Sequence, residues 1–216
     1  REAVADGALA FGCQGTENPW TIDGGRTLGF ELADQLTAQG ITADRLLVQV
    51  GGGALAASTT QALTDAVELG ALGRRPALNA VQTEGCAPLA RAFNLVINTE
   101  DPARVLAQMG DEAETFMWPW ENPSSAATGI LDDVTYDWRP VVWDMACGST
   151  PGGPVIAAEE HVAAAHQLVQ DHTDVLADAT GSAGLAGLLS ARRDGCVESD
   201  DRVVVLLTGS ERPIDS

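Results

Sequence analysis

Residues 46–58 read LLVQVGGGALAAS: an apolar run, three consecutive glycines, then residues that suit a helix. A strand that enters a helix through a glycine turn leaves backbone N–H groups pointing outward at the helix N-terminus. Those donors and the helix dipole favour an anion, above all a phosphate, and the absent side chains let a ligand reach the main chain. The same turn can also close with no ligand at all. One functional pattern it fits is the dinucleotide fingerprint G-x-G-x-x-G/A, through Gly51, Gly53 and Ala56. That pattern places an acidic residue about 20 positions further on. Here the next strand ends at Glu84, 28 residues beyond Ala56.

Other chemistry-bearing residues are sparse. The cysteines stand at 13, 86, 147 and 196, too far apart for a metal or redox pair. His161, His166 and His172 are spaced by five and six, so no two share a helical face as metal ligands, and no metal is expected. Asp132, Asp133 and Asp137 in LDDVTYDW read either as a solvated turn or as the rim of a substrate or cation site. Glu84 stands at a strand's C-terminal end, where open α/β sheets place ligands. All twelve basic residues are arginine; the chain has no lysine. The net charge of −19 repels phosphate backbones, so nucleic acid is not an expected partner. No apolar run reaches about 18 residues, so no membrane span is expected, and REAVADGALAFG lacks a signal-peptide pattern. Isolated cysteines fit a reduced, cytoplasmic protein.

The elements that would position these residues alternate. Strands are expected at 8–13, 45–50, 75–84, 154–158 and 202–209. Helices are expected at 26–40, 54–70, from CAPLARAF onward, through EEHVAAAHQLVQDH and at 180–195, the last capped by Thr180 or Ser182 and stopped by Gly195. Strands that are solid Val/Ile/Leu runs between helices imply an α/β fold: a mostly parallel sheet with helices on both faces. Residues 98–153 read as irregular, with Trp118, Trp120, Trp138 and Trp143 forming either a second core or an interface.

Five blocks together resemble the fold type II pyridoxal-phosphate enzymes, the tryptophan synthase β superfamily, especially its threonine synthase and threonine dehydratase branch. VGGGALAAS is similar to the family's phosphate loop, NPWTIDGGRTLGFELADQL to the segment before it, and PSSAATGI to the Ala–x–Gly loop beside the cofactor. TGSAGLAGLL resembles the helix after the last crossover, and VVVLLTGS the final strand. The resemblance implies that Gly51, Gly52, Gly53, Ala54 and Leu55 give backbone amides to the phosphate of pyridoxal 5'-phosphate. It implies that Thr208, or alternatively Ser182, places a hydroxyl on the ring nitrogen, and that Gly129 lies beside the ring. The substrate would be a small amino acid or its phosphate ester, and the reaction a β-elimination or replacement. The family holds its cofactor on a lysine that also moves the substrate proton. This chain cannot supply one, so no catalytic residue is assigned within it. The expectation is that residues 1–216 form the cofactor-binding large-domain portion of a longer enzyme, with the lysine-bearing region and small domain elsewhere and the tryptophan-rich segment as a surface for a homodimer. The alternatives are a nicotinamide-binding Rossmann domain and a lysine-free, non-catalytic paralogue.

Overall fold

The computed structural model describes residues 2–210; Arg1 and residues 211–216, the ends of the expected 1–216 unit, lie outside the described residues. In chain order the elements are α1 (Glu2–Ala5), α2 (Pro19–Ala38), β1 (Arg45–Gln49), α3 (Ala54–Glu68), β2 (Ala77–Thr83), α4 (Pro88–Ile97), α5 (Pro102–Gln108), α6 (Trp138–Cys147), β3 (Gly153–Ala157), α7 (Glu159–His172), α8 (Ala183–Arg193) and β4 (Val203–Val205). The strands form one sheet in the order β3-β2-β1-β4, and every pairing is parallel.

Alternation along the strands explains the layers. Leu46 and Val48 of β1, with Leu78 and Ala80 of β2, enter a core shared with α2, α3, α4 and α6. Leu47 and Val81 point the other way, into a core shared with α7 and α8. Both faces of the central strands are thus dry, which is why they read as unbroken apolar runs.

Three expectations need correction. Residues 8–13 form no strand: Leu9 and Phe11 are exposed, and among the described residues nothing pairs with them. The helix expected at 26–40 starts seven residues earlier, at Pro19, because proline suits a first helical position. Gly25, just before the expected start, and Gly29, inside the expected helix, are where α2 meets α3. A Cβ on Gly25 would lie 2.5 Å from Ser58 Oγ, and one on Gly29 2.5 Å from the Thr59 carbonyl oxygen. Finally, residues 98–153 carry α5 and α6 as well as short 3-10 turns at Gly110–Thr115 and Thr128–Ile130. The tryptophans there do not make a second core: Trp138 is buried and stacks on Phe116 at 6.3 Å between centroids, whereas Trp118 and Trp143 are exposed.

One polar group inside the sheet has a structural role. Gln82 at the end of β2 is buried, and its Oε1 accepts from the amides of Leu89 (2.8 Å) and Ala90 (3.2 Å). It therefore caps α4, whose own N-cap residue, Ala87, contributes no side-chain bond.

Candidate functional site

The glycine turn hangs from the C-terminal end of β1. The Val50 amide donates to the Val81 carbonyl at 2.8 Å, which fixes the turn to β2. Gly53 then takes φ +98, a left-handed conformation open to glycine, and the chain turns into α3. No side chain caps α3, so its first amides, those of Ala54, Leu55 and Ala56, are without intrahelical partners. On its outer side the turn touches the segment leading into α6. The Asp137 amide donates to the Gly52 carbonyl at 2.8 Å. A Cβ on Gly51 would lie 2.5 Å from Asp132 Oδ2, and one on Gly53 3.1 Å from Thr135 Cγ2. The glycines therefore leave room for two things: a ligand against bare main chain, and the 130–137 segment folded over it.

Gly51, Gly52, Gly53, Ala54 and Leu55 line a cavity of about 330 Å³ that Gly129 and Thr208 line as well. Thr208 reaches it from the chain just beyond β4, where its amide donates to the Gly181 carbonyl at 3.1 Å. Its hydroxyl accepts from Gln49 Nε2, at the end of β1. Gly129 donates its amide to the Thr180 hydroxyl at 2.9 Å, so Thr180 ties two cavity segments together and does not cap α8. Ser182 stands apart. It is fully buried, it is not among the cavity residues, and its hydroxyl donates to the Asp178 carbonyl at 2.9 Å. Glu84 is also elsewhere, in a separate cavity of about 320 Å³, where its carboxylate accepts from the Glu159 amide at 3.2 Å. Among the described residues no group of His, Cys, Asp and Glu is arranged to hold a metal.

Two residues of this cavity have roles in it that the sequence reading did not give them. Gln49 is 5% exposed, and its Oε1 is buried with no hydrogen-bond partner among the described residues. A single amide in an otherwise apolar strand was the available signal. Asp132 was visible as part of an acidic cluster, but not as the member that rests on Gly51. Burial pushes its carboxyl up from the ordinary carboxylate range, and the charge of Asp133 adds to that.

The donor set suits a phosphate ester on a flat polar ring. Bare amides at a helix N-terminus face an anion, and a hydroxyl opens on the same cavity. Asp132 is the one member that opposes a negative charge without being anchored elsewhere.

Residues 1–209 match the family described as pyridoxal-phosphate dependent enzyme. The threonine synthase of Methanocaldococcus jannaschii is 24% identical over 192 residues, covering 89% of this chain and 42% of that protein. The threonine synthase of Mycobacterium bovis is 28% identical over 193 residues, covering 89% and 45%. The chain thus spans less than half the length of these relatives. Among solved structures, a threonine deaminase from T.th. superposes with a TM-score of 0.69 at 19% identity, over 93% of this chain and 60% of that one. A fungal L-serine ammonia-lyase from Rhizomucor miehei gives 0.62 at 22% identity, over 88% and 52%. These structural likenesses show that the parallel α/β fold is shared with those proteins. No described helix is long and apolar enough to cross a membrane. With a family match over nearly its whole length and a glycine turn at a helix start opening on the same cavity as a strand-end hydroxyl, the chain belongs to the pyridoxal-phosphate-dependent enzyme family.

Proposed function

We propose that this chain is the cofactor-binding portion of an enzyme that carries out β-elimination or replacement on a small amino acid or its phosphate ester. The observation that carries the reading is the single cavity shared by the glycine turn and Thr208. Its volume of about 330 Å³ suits a small-molecule site. In this reading the amides of Gly51, Gly52, Gly53, Ala54 and Leu55 hold the cofactor phosphate. Thr208 directs its hydroxyl at the ring nitrogen, and Gly129 borders the ring. Gln49 positions that hydroxyl: its amide nitrogen donates to Thr208 Oγ1, which leaves the hydroxyl's own proton for the ring. Ser182, the other hydroxyl considered, is occupied by a backbone carbonyl, which favours Thr208.

When bound, pyridoxal phosphate supplies an electron sink for the substrate's α-carbon. A neutral hydroxyl at the ring nitrogen keeps the ring unprotonated, which suits elimination and replacement. No side chain here can attach the cofactor or shuttle the α-proton as a lysine would, because the chain has none. The chain by itself is therefore read as binding cofactor without turnover, with the lysine supplied from outside residues 1–216. Cytoplasmic residence and homodimer formation belong to the same proposal. The free thiols Cys13, Cys86, Cys147 and Cys196 agree with the first.

The test is thermal unfolding with pyridoxal phosphate, inorganic phosphate or a nicotinamide dinucleotide. The first two are expected to raise the Tm of the chain. Gly53→Ala should cost about 1–2 kcal/mol, from the left-handed φ alone, and remove most of the ligand-induced rise. Stabilisation by the dinucleotide with no response to pyridoxal phosphate would overturn the reading in favour of a Rossmann domain. Joined to a lysine-bearing segment, the chain should show the visible absorbance of a lysine-bound cofactor.

A further inference from the structure

The anion cradle contains a carboxylate. A Cβ on Gly51 would stand 2.5 Å from Asp132 Oδ2, and one on Gly52 3.5 Å from the same oxygen. The acid therefore rests on the bare main chain of the first two residues of the turn. It lines the same cavity as the amides of α3 and Thr208. Among the described residues no arginine lines that cavity, and a second carboxylate, Asp137, does. A phosphate carrying about two negative charges would meet a carboxylate where such sites commonly offer a cation.

The surroundings of Asp132 single it out as the group that must yield. Asp137 is anchored: its two oxygens accept from the amides of Gly15 (2.9 Å) and Thr16 (3.0 Å). Asp133 adjoins Asp132 and adds like charge. Tyr136 and Cys86 also face it. Burial pushes the pKa of both up, and the charges of Asp132 and Asp133 push the same way. The Cys86 thiol donates to the Asp132 backbone carbonyl at 3.3 Å, not to its carboxylate. Arg91 acts on Cys86 and is itself held by the Trp118 carbonyl and by the Trp118 ring, 3.8 Å from its guanidinium carbon. Among the groups acting on the Asp132 carboxyl, none lowers it. Protonation is thus a way to remove its charge from the cradle with the side chain in place.

We propose that Asp132 makes occupation of this cradle proton-coupled: phosphate settles on the amides of residues 51–55 when the Asp132 carboxylate has taken up one proton from solvent. The step forms no covalent bond. One proton moves from water to a carboxylate oxygen, and the phosphate enters with its charge unchanged. The proposal rests on the reading that the turn holds a phosphate. It adds a gate: the raised acid is charged above its titration range and repels the ligand, and neutral below it. Cofactor affinity therefore falls as pH rises.

Asp132→Asn removes the charge and keeps the shape. Binding of pyridoxal phosphate, inorganic phosphate and unphosphorylated pyridoxal to the chain and to the variant would be measured calorimetrically between about pH 6 and pH 8.5, in buffers of differing ionisation enthalpy. At the alkaline end Asp132→Asn is expected to bind the two phosphates at least about tenfold more tightly than the native chain. Comparing the two proteins cancels the ligand's own ionisation. The native chain should take up close to one additional proton per phosphate bound, while binding of unphosphorylated pyridoxal should be insensitive to the substitution. Equal or weaker phosphate binding by Asp132→Asn at high pH, or equal proton uptake in the two proteins, overturns the gate and leaves the cradle standing. Failure of both proteins to bind either phosphate at any pH overturns the cradle and the gate together.

Discussion

Replacing Arg75 by Met is expected to destabilise the chain by roughly 3–5 kcal/mol at neutral pH, the cost of leaving one partner of a buried ion pair alone. Arg75 is 2% exposed and pairs with Asp144 of α6. Its guanidinium also donates to the Asp144 carbonyl (3.5 Å) and to Ser149 Oγ (3.2 Å), and its own carbonyl accepts from Thr150 (3.1 Å). One side chain thereby joins the segment before β2 to the end of α6 and the approach to β3. Asp144 Oδ2 is buried and has no hydrogen-bond partner among the described residues, so the carboxylate depends on Arg75. Burial already pushes the Asp144 carboxyl up, against the pull of Arg75. The folded state therefore holds this proton more tightly than the unfolded chain. The stability tied to the proton is fully present below the unfolded value of about 3.9 and is lost as pH rises through the folded one. Without Arg75 the folded value climbs further. The penalty of Arg75→Met should accordingly be smallest near pH 4 and grow toward neutrality. Urea unfolding across pH measures this, and the double variant Arg75→Met with Asp144→Leu should recover most of the loss. A penalty under about 1 kcal/mol at neutral pH would show that the pair does not hold these segments.

What the sequence revealed and what it hid follow one division. β1 and α3 were legible because local signals agreed: Leu46, Leu47 and Val48 are buried on both faces of a parallel sheet, and Gly53 needs a left-handed φ where a helix starts. The first turns of α2, before Arg26, were hidden because Gly25 answers to Ser58 of another helix. The cap of α4 was hidden because Gln82 supplies it from seven residues away, at the end of a strand. In the site, the main-chain donors at 51–55 belong to one contiguous motif and could be read. Gln49 reaches Thr208, and Asp132 reaches the turn, by tertiary approach, which no spacing rule encodes. The strand misread at 8–13 makes the same point in reverse: ALAFGC has strand-like composition, yet no sheet edge is beside it.

Gly181→Ala is expected to disrupt the site from behind. A Cβ there would stand 1.5 Å from the Thr208 carbonyl oxygen and 2.5 Å from its carbon. These are backbone atoms, so no rotamer change can relieve the clash. The same two residues are hydrogen-bonded, Thr208 N–H to the Gly181 carbonyl. Relief must therefore displace Thr208 or break that bond. Overpacking of this kind costs roughly 1–3 kcal/mol, and a shift of about 1 Å can cost a positioned group most of its effect. The variant should lose stability and lose the Tm rise given by pyridoxal phosphate. Gly24→Ala is the control: Gly24 lies in α2, and nothing stands within 4 Å of its would-be Cβ. It should gain about 0.4–1 kcal/mol and keep the full ligand response. Thr208→Val separates the hydroxyl from the backbone: it should fold as the native chain does and weaken cofactor binding while leaving inorganic phosphate binding intact. A native-sized response to pyridoxal phosphate in both Gly181→Ala and Thr208→Val would mean that the strand-end hydroxyl does not meet the ring, and that the glycine turn alone holds the cofactor.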